Sequence, residues 1–251
     1  MKINRLKKSL QDGNVVLGAS VASSSALIAE HLGIGGFDFV TIDLQHGEAT
    51  VDDLQRLLYA IDSTEATASV RVPVNEPGMI QRCLDLGALC VVVPNVDTVD
   101  QARAVVDAAR YPPLGRRSWG PIRSAIFTDA EYFHQANEQL LVLVMLESSE
   151  AVENAEEILA LPGLDGCLIG PNDLNLSCGD VAQFPKMAAS TEQCIDRILA
   201  AAKKSGKVAG IAGASDHTTQ RIEQGFQLIF CGLDVRMVAD SARLLLARIR
   251  R

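Results

Sequence analysis

No two of the six cysteines stand in CxxC spacing, acidic residues outnumber basic ones, and no apolar run approaches membrane-spanning length. Each shortage removes a class of protein. Cys90, Cys167 and Cys231 lie inside apolar runs, apart from Cys83, Cys178 and Cys194. All six read as reduced residues of an intracellular chain, not as a disulfide or zinc framework. A net charge of −8 argues against nucleic acid and anionic membrane as partners, since both select basic faces. The opening stretch MKINRLKKSLQDG contains no apolar signal segment, which predicts a cytoplasmic protein. Gly33, Gly35 and Gly36 precede an apolar run instead of following one, so they form no dinucleotide fingerprint.

What is present is one alternation, repeated. The 251 residues are 48% hydrophobic and 22% charged, ordinary values for a chain with a large buried core. Short apolar runs predict strands at Val15–Ser20, Phe37–Asp43, Thr67–Val72, Leu89–Pro94, Leu140–Glu147, Leu164–Gly170, Val208–Ala212 and Leu228–Cys231. Helical patterns fall between and after them: Ser24–Leu32, Val51–Ile61, Met79–Leu86, Thr98–Arg110, Ala151–Leu159, Thr191–Lys204, Asp216–Gln224 and Val235–Arg250. Ser23-Ser-Ser25, Asp97 before Thr98, and Ser215-Asp216 supply capping oxygens. Eight such pairs without a Pro/Ser/Gly-rich linker predict a single (β/α)8 TIM barrel over residues 1–251. A doubly wound open sheet is the alternative.

Two segments depart from the repeat. Tyr111–Gln139 is too long for a simple connection and holds the only tryptophan, Trp119, with Arg116, Arg117 and Arg123. It is either a plug that closes the barrel bottom with Trp119 or a segment packed at a subunit contact. The last helix, from Val238 to Ile249, is apolar on more than one face. It is either the eighth barrel helix or a helix that packs on a neighbouring subunit.

Polar residues gather where the strands end. Asp43 closes the second strand before Gln45 and His46, and Arg71 closes the third. Glu147 and Asp173 follow the fifth and sixth. In a parallel barrel these ends share one rim, where the active site lies. Two carboxylates with open positions beside them suit Mg²⁺ or Mn²⁺. Each residue taken alone has an ordinary alternative: a salt bridge for Arg71, a loop hydrogen bond for His46, a helix cap for Glu147. His31, His134 and His217 keep such ordinary roles. Four strand ends bearing metal- or anion-compatible groups together favour a metal-dependent enzyme. No lysine stands at these strand ends, and Lys203, Lys204 and Lys207 belong to the other rim, so a Schiff-base route is disfavoured.

At this point the residues carry a resemblance. Ile42-Asp-Leu-Gln-His-Gly47, Val70-Arg-Val-Pro73, Tyr111-Pro-Pro-Leu-Gly-Arg-Arg-Ser-Trp-Gly-Pro121, Met145-Leu-Glu-Ser148 and Ile169-Gly-Pro-Asn-Asp-Leu174 resemble, in order, the HpcH/HpaI aldolase family. The resemblance implies a phosphoenolpyruvate/pyruvate-binding type of TIM barrel. It implies a class II aldolase that reversibly cleaves a 4-hydroxy-2-oxo acid to pyruvate and an aldehyde. It also implies a homo-oligomer, a hexamer or trimer of dimers, with the C-terminal helix at about 235–250 exchanged between subunits. Residue by residue, it makes Glu147 and Asp173 the ligands of Mg²⁺, Mn²⁺ or Co²⁺. Arg71 binds the pyruvate oxygens and stabilises the enolate, and His46 is catalytic, with Asp43 in the same loop. Asp85, in Leu84-Asp-Leu-Gly-Ala88, pairs with the histidine, within a chain or across a subunit contact. Backbone from Gly170 through Asn172 to Asp173 cradles the substrate carboxylate. The chain departs from the family pattern at Gln45, where several members carry glutamate. It also departs at Met145, a common glutamine position, and at Asn172, a usual alanine. A lost polar group beside the metal bears on metal affinity and aldehyde preference.

Other functions compete on the same chassis. A citramalyl- or malyl-CoA-type lyase, or a 2-oxo-acid decarboxylase, would reuse Arg71 and the metal. The coenzyme A type needs a basic groove, for which Arg116, Arg117 and Arg123 are the available cluster. A non-catalytic scaffold would have no reason to retain costly strand-end charges.

Overall fold

The computed structural model describes residues 3–121, 123, 131–178, 187–213 and 217–250. Strands β1 (Val16–Val21), β2 (Phe39–Asp43), β3 (Thr67–Arg71), β4 (Cys90–Val93), β5 (Leu141–Leu146), β6 (Gly166–Ile169), β7 (Val208–Ile211) and β8 (Leu228–Leu233) pair in sequence order into a closed parallel barrel. This is the expected (β/α)8 architecture, and the open-sheet alternative falls away. Strands β2, β4, β5 and β6 are buried along their whole length, which explains why they are apolar apart from Thr41 and Asp43 of β2.

Inside the barrel, Val16, Phe39, Cys90, Val92, Leu141, Leu143, Met145, Leu168, Leu228 and Phe230 pack with Leu6 and Leu10. Phe39 and Phe230 meet edge to face, with ring centroids 4.9 Å apart. Gly18 makes room for them, because a Cβ there would stand 2.2 Å from the Phe39 ring. Burial pushes the Cys90 and Cys167 thiols up to about 12, in keeping with inert core cysteines. Around the barrel lie α2 (Ala26–Ile34), α3 (Val51–Asp62), α4 (Pro77–Asp85), α5 (Val99–Ala109), α7 (Ser149–Leu159), α9 (Ala189–Ser205) and α10 (Thr218–Gln224). Ser25 caps α2 by accepting from Ile28 N. Thr98 itself, not Asp97, caps α5, in a capping box with Gln101. The cap expected at Ser215-Asp216 lies outside the described residues.

A short first helix, α1 (Arg5–Gln11), was not legible in the sequence. Asn4 caps it through Lys7 N and donates from Nδ2 to Leu89 O at 2.9 Å and Gln139 O at 2.8 Å. Leu6 and Leu10 enter the barrel floor. Lys7 Nζ reaches Asp165 at 2.9 Å and Leu140 O at 2.7 Å, beside Arg110, which also pairs with Asp165. Burial holds the Lys7 ammonium below its ordinary pKa, against the pull of Asp165.

This plug removes one of the two readings of the long connection, in which Trp119 closes the bottom. Trp119 is 58% exposed and stacks instead against Tyr111, Tyr132 and Phe133. Tyr132 and Phe133 belong to α6 (Tyr132–Gln139), a helix within the long connection. Residues 122 and 124–130 of that connection lie outside the described set.

The last helix, α11 (Asp234–Ile249), buries only Asp234. Leu244, Leu245 and Ile249 are 62, 59 and 69% exposed, so it does not cover the barrel as an eighth layer helix would. No helix among the described residues is long and apolar enough to cross a membrane.

Candidate active site

The strand ends bring Asp43 and Arg71 side by side, as register partners on β2 and β3. Arg71 Nε donates to Asp43 Oδ1 at 2.9 Å, and Nη2 donates to Oδ2. Asp43 Oδ1 also accepts from Gln45 N at 3.0 Å and His46 N at 3.2 Å. One carboxylate thus orients both the guanidinium and the histidine loop. Burial acts to raise the Asp43 carboxyl, but Arg71 and the loop N–H donors together hold it below its ordinary value. Arg71 is therefore paired, as its ordinary alternative required, yet it still faces the cavity.

Across the rim, Glu147 follows β5 and is buried. Its Oε1 accepts from Asn95 N at 2.9 Å. Asn95 has φ of 55°, a left-handed conformation that asparagine tolerates and that aims its N–H at Glu147. Sequence reading missed Asn95, although the Pro94-Asn95 dipeptide is a turn signal. Burial raises the Glu147 carboxyl; the Asn95 N–H opposes this, and the negative charge of Asp173 adds to it. Asp173 sits exposed in the first turn of α8 (Pro171–Ser177). Gly170 precedes that helix, and a Cβ there would stand 2.4 Å from Glu147 Oε2. The glycine keeps the space beside the carboxylate open.

Asp43, His46, Arg71 and Asn172 line one cavity of about 410 Å³. Ser20 of β1 and Arg236 of α11 join its wall, neither of them singled out in the sequence, and its lining includes no lysine. The donor set fits a hard divalent cation. Neither Glu147 nor Asp173 is among that lining, but Glu147 is destabilised by burial and by the nearby charge of Asp173, and Gly170 keeps space beside it. Among the described residues no group of three or more His, Cys, Asp or Glu encloses a metal. A two-oxygen site with open positions suits a cation that shares its shell with water or substrate.

Asp85 is not with them. It ends α4, and its Oδ1 accepts from Arg117 Nη2 at 2.6 Å. Helix ends in this fold lie at the rim opposite the strand ends, so pairing of Asp85 with His46 inside one chain is corrected. The basic cluster expected of a coenzyme A lyase is also largely spent, since Arg117 pairs with Asp85 and Arg123 with Asp62 at 2.6 Å. Of the departures, Met145 is buried beneath Gly170, and its Cε would lie 3.2 Å from a Cβ there. Gln45 Oε1 is buried and has no hydrogen-bond partner among the described residues.

A parallel barrel with a guanidinium, a histidine and two carboxylates on its strand-end rim has the groups that metal-assisted lyase chemistry uses. The chain belongs to the HpcH/HpaI aldolase/citrate lyase family, whose sequence profile matches residues 17–241. It is an enzyme, and its activity is that of an aldolase, a carbon–carbon lyase. It is 36% identical over 244 residues to a 2-keto-3-deoxy-L-rhamnonate aldolase of Salmonella gallinarum, covering 95% of this chain and 90% of that protein. It is 36% identical over 239 residues to a 2-dehydro-3,6-dideoxy-6-sulfogluconate aldolase of Pseudomonas putida, covering 93% and 92%. The crystal structure of a family member from Burkholderia cenocepacia J2315 superposes with a TM-score of 0.92 at 32% identity, over 99% of this chain and 100% of that one.

Proposed function

We propose that this aldolase cleaves a 4-hydroxy-2-oxo acid into pyruvate and an aldehyde with the help of a divalent cation held by Glu147 and Asp173. The carrying observation is the rim itself, where the Asp43-anchored Arg71 faces the cavity near the destabilised Glu147. Bound there, Mg²⁺, Mn²⁺ or Co²⁺ supplies Lewis-acid polarisation of the substrate's keto oxygen. Arg71 presents a fixed donor fork to the same region and stabilises the charge that develops on the enolate oxygen. His46, exposed on the cavity wall, takes the proton of the 4-hydroxyl during cleavage and returns it in the aldol direction. Asp43 holds both groups in register. The turn from Gly170 through Asn172 to Asp173 receives the substrate carboxylate, and Asn172 adds a polar group to the wall where the aldehyde portion lies.

Assembly completes the reading. The uncovered apolar side of α11 packs on another subunit in a homo-oligomer, and Asp85 reaches a histidine only from a neighbouring subunit. The enzyme works in the cytoplasm, in keeping with the burial of Cys83, Cys90 and Cys167 in its core. Deleting residues 238–251 lowers the oligomeric state seen by light scattering and lowers activity with it. A fully active monomer would overturn this assembly.

The reading is tested by screening 4-hydroxy-2-oxo acids for pyruvate release, with chelator and then with added Mn²⁺, Mg²⁺ or Co²⁺. Release that stops with chelator and returns with metal is expected. Full release in excess chelator refutes it.

A further inference from the structure

Strand β1 runs into a turn at Ala22–Ser23 that takes no part in the chemistry above. The geometry points to Asp234 as a positioning residue of this aldolase, fastening the start of α11 to that turn and, through it, the loop that carries His46. The inference rests on the cleavage role proposed for His46.

Asp234 is 2% exposed. Its Oδ1 accepts from Ala22 N at 2.9 Å and from Val235 N at 2.8 Å. Its Oδ2 accepts from Ser23 N at 3.0 Å and Ser23 Oγ at 2.6 Å. A carboxylate this deeply buried persists only when donors fill its lone pairs, and charge-assisted bonds of this kind are the strong ones. Three of the four donors come from the β1 turn, more than 200 residues earlier in the chain.

The same turn holds the histidine loop. Ala22 O accepts from Glu48 N at 2.6 Å. Gly47 packs so tightly that a Cβ would stand 2.9 Å from Ala22 O and 2.3 Å from Asp43 O. His46 lies between these contacts, and its own N–H is bonded to Asp43. Ser20 and Ala22 on one side of the clamp, with Leu233 and Arg236 on the other, line the cavity. Loosening Asp234 therefore moves the His46 ring against a fixed Arg71, whose guanidinium is bonded to Asp43 on the neighbouring strand.

Two reactions separate this role from general stability: retro-aldol cleavage, which needs His46, and exchange of the pyruvate methyl protons with deuterated water, which needs Arg71 and the carboxylate pair. Asp234→Asn keeps the shape but places an N–H where the turn already presents donors. A displacement of the histidine on the ångström scale costs about a hundredfold in cleavage, with methyl exchange changed by less than about threefold. Combined with His46→Ala, it causes no further loss of cleavage. Ser23→Ala removes one donor and shows the same split with a smaller loss, which keeps the test available if Asp234→Asn folds poorly. Equal losses in both reactions, or additive losses in the double variant, overturn the inference. Hydrogen exchange at the Glu48 amide gives an arm independent of activity: its protection falls in either variant, and unchanged protection overturns the clamp. A native enzyme that exchanges no pyruvate protons would count against the proposed function, with the Glu48 measurement still deciding the clamp.

Discussion

Glu147→Gln removes aldolase activity and leaves the fold intact. The glutamine keeps an oxygen for Asn95 N and matches the size of the carboxyl, so the loop after β4 stays in place. Burial already disfavours the charged form of Glu147, and the nearby charge of Asp173 adds to this. A neutral isostere therefore costs the metal-free protein no thermal stability. What it removes is one of two anionic oxygens for the cation. Lewis-acid polarisation contributes several kcal/mol to such a transition state, so its loss slows turnover by about a thousandfold or more. Thermal unfolding gives a second readout. Added Mn²⁺ raises the melting temperature of the native protein, because it binds only the folded state, and does not raise that of Glu147→Gln. Native-like activity in the variant, or an equal metal-induced shift in both proteins, would rule out Glu147 as a ligand.

Arg71→Lys is the second large effect. The guanidinium is held by two parallel bonds to Asp43 while its remaining donors face the cavity. An ammonium cannot grip the carboxylate at two points and present a second pair of donors at once. Removing one preorganised donor of this type costs about 10²–10³ in turnover. Both retro-aldol cleavage and methyl exchange fall by that order, because both pass through the enolate. His46→Ala behaves differently, losing cleavage while largely retaining exchange, since its proton belongs to the hydroxyl. A lysine variant with normal methyl exchange would move enolate stabilisation away from Arg71.

The strands were legible because fully buried parallel strands leave nothing but apolar runs, and Leu140–Glu147 differs from the observed β5 only at its ends. Asp43, Arg71 and Glu147 were legible for the complementary reason, as charges closing such runs. Their mutual arrangement was not. That Arg71 is bidentate to Asp43 depends on which residues become register partners, a consequence of barrel closure that no local pattern carries. Helix α1 escaped because two leucines in a basic segment look like a solvated stretch, and only the open barrel floor explains them. Asp234 carries no local signal, since its partners Ala22 and Ser23 stand at the other end of the chain. Pairing of Asp85 with His46 within one chain failed on topology. A helix that follows a strand carries the chain back to the opposite rim, and the repeat itself contained that information.

Helix α1 is synthesised before any strand of the barrel it closes. Asn4 bonds to Gln139, 135 residues further along. At the usual ~5–20 residues per second, a ribosome needs roughly seven to twenty-seven seconds to supply that partner. Leu6 and Leu10 have no closed barrel to enter until β8, with Leu228 and Phe230, has also been made. The molecule thus carries its own stopper, tethered beside the opening at a high effective concentration.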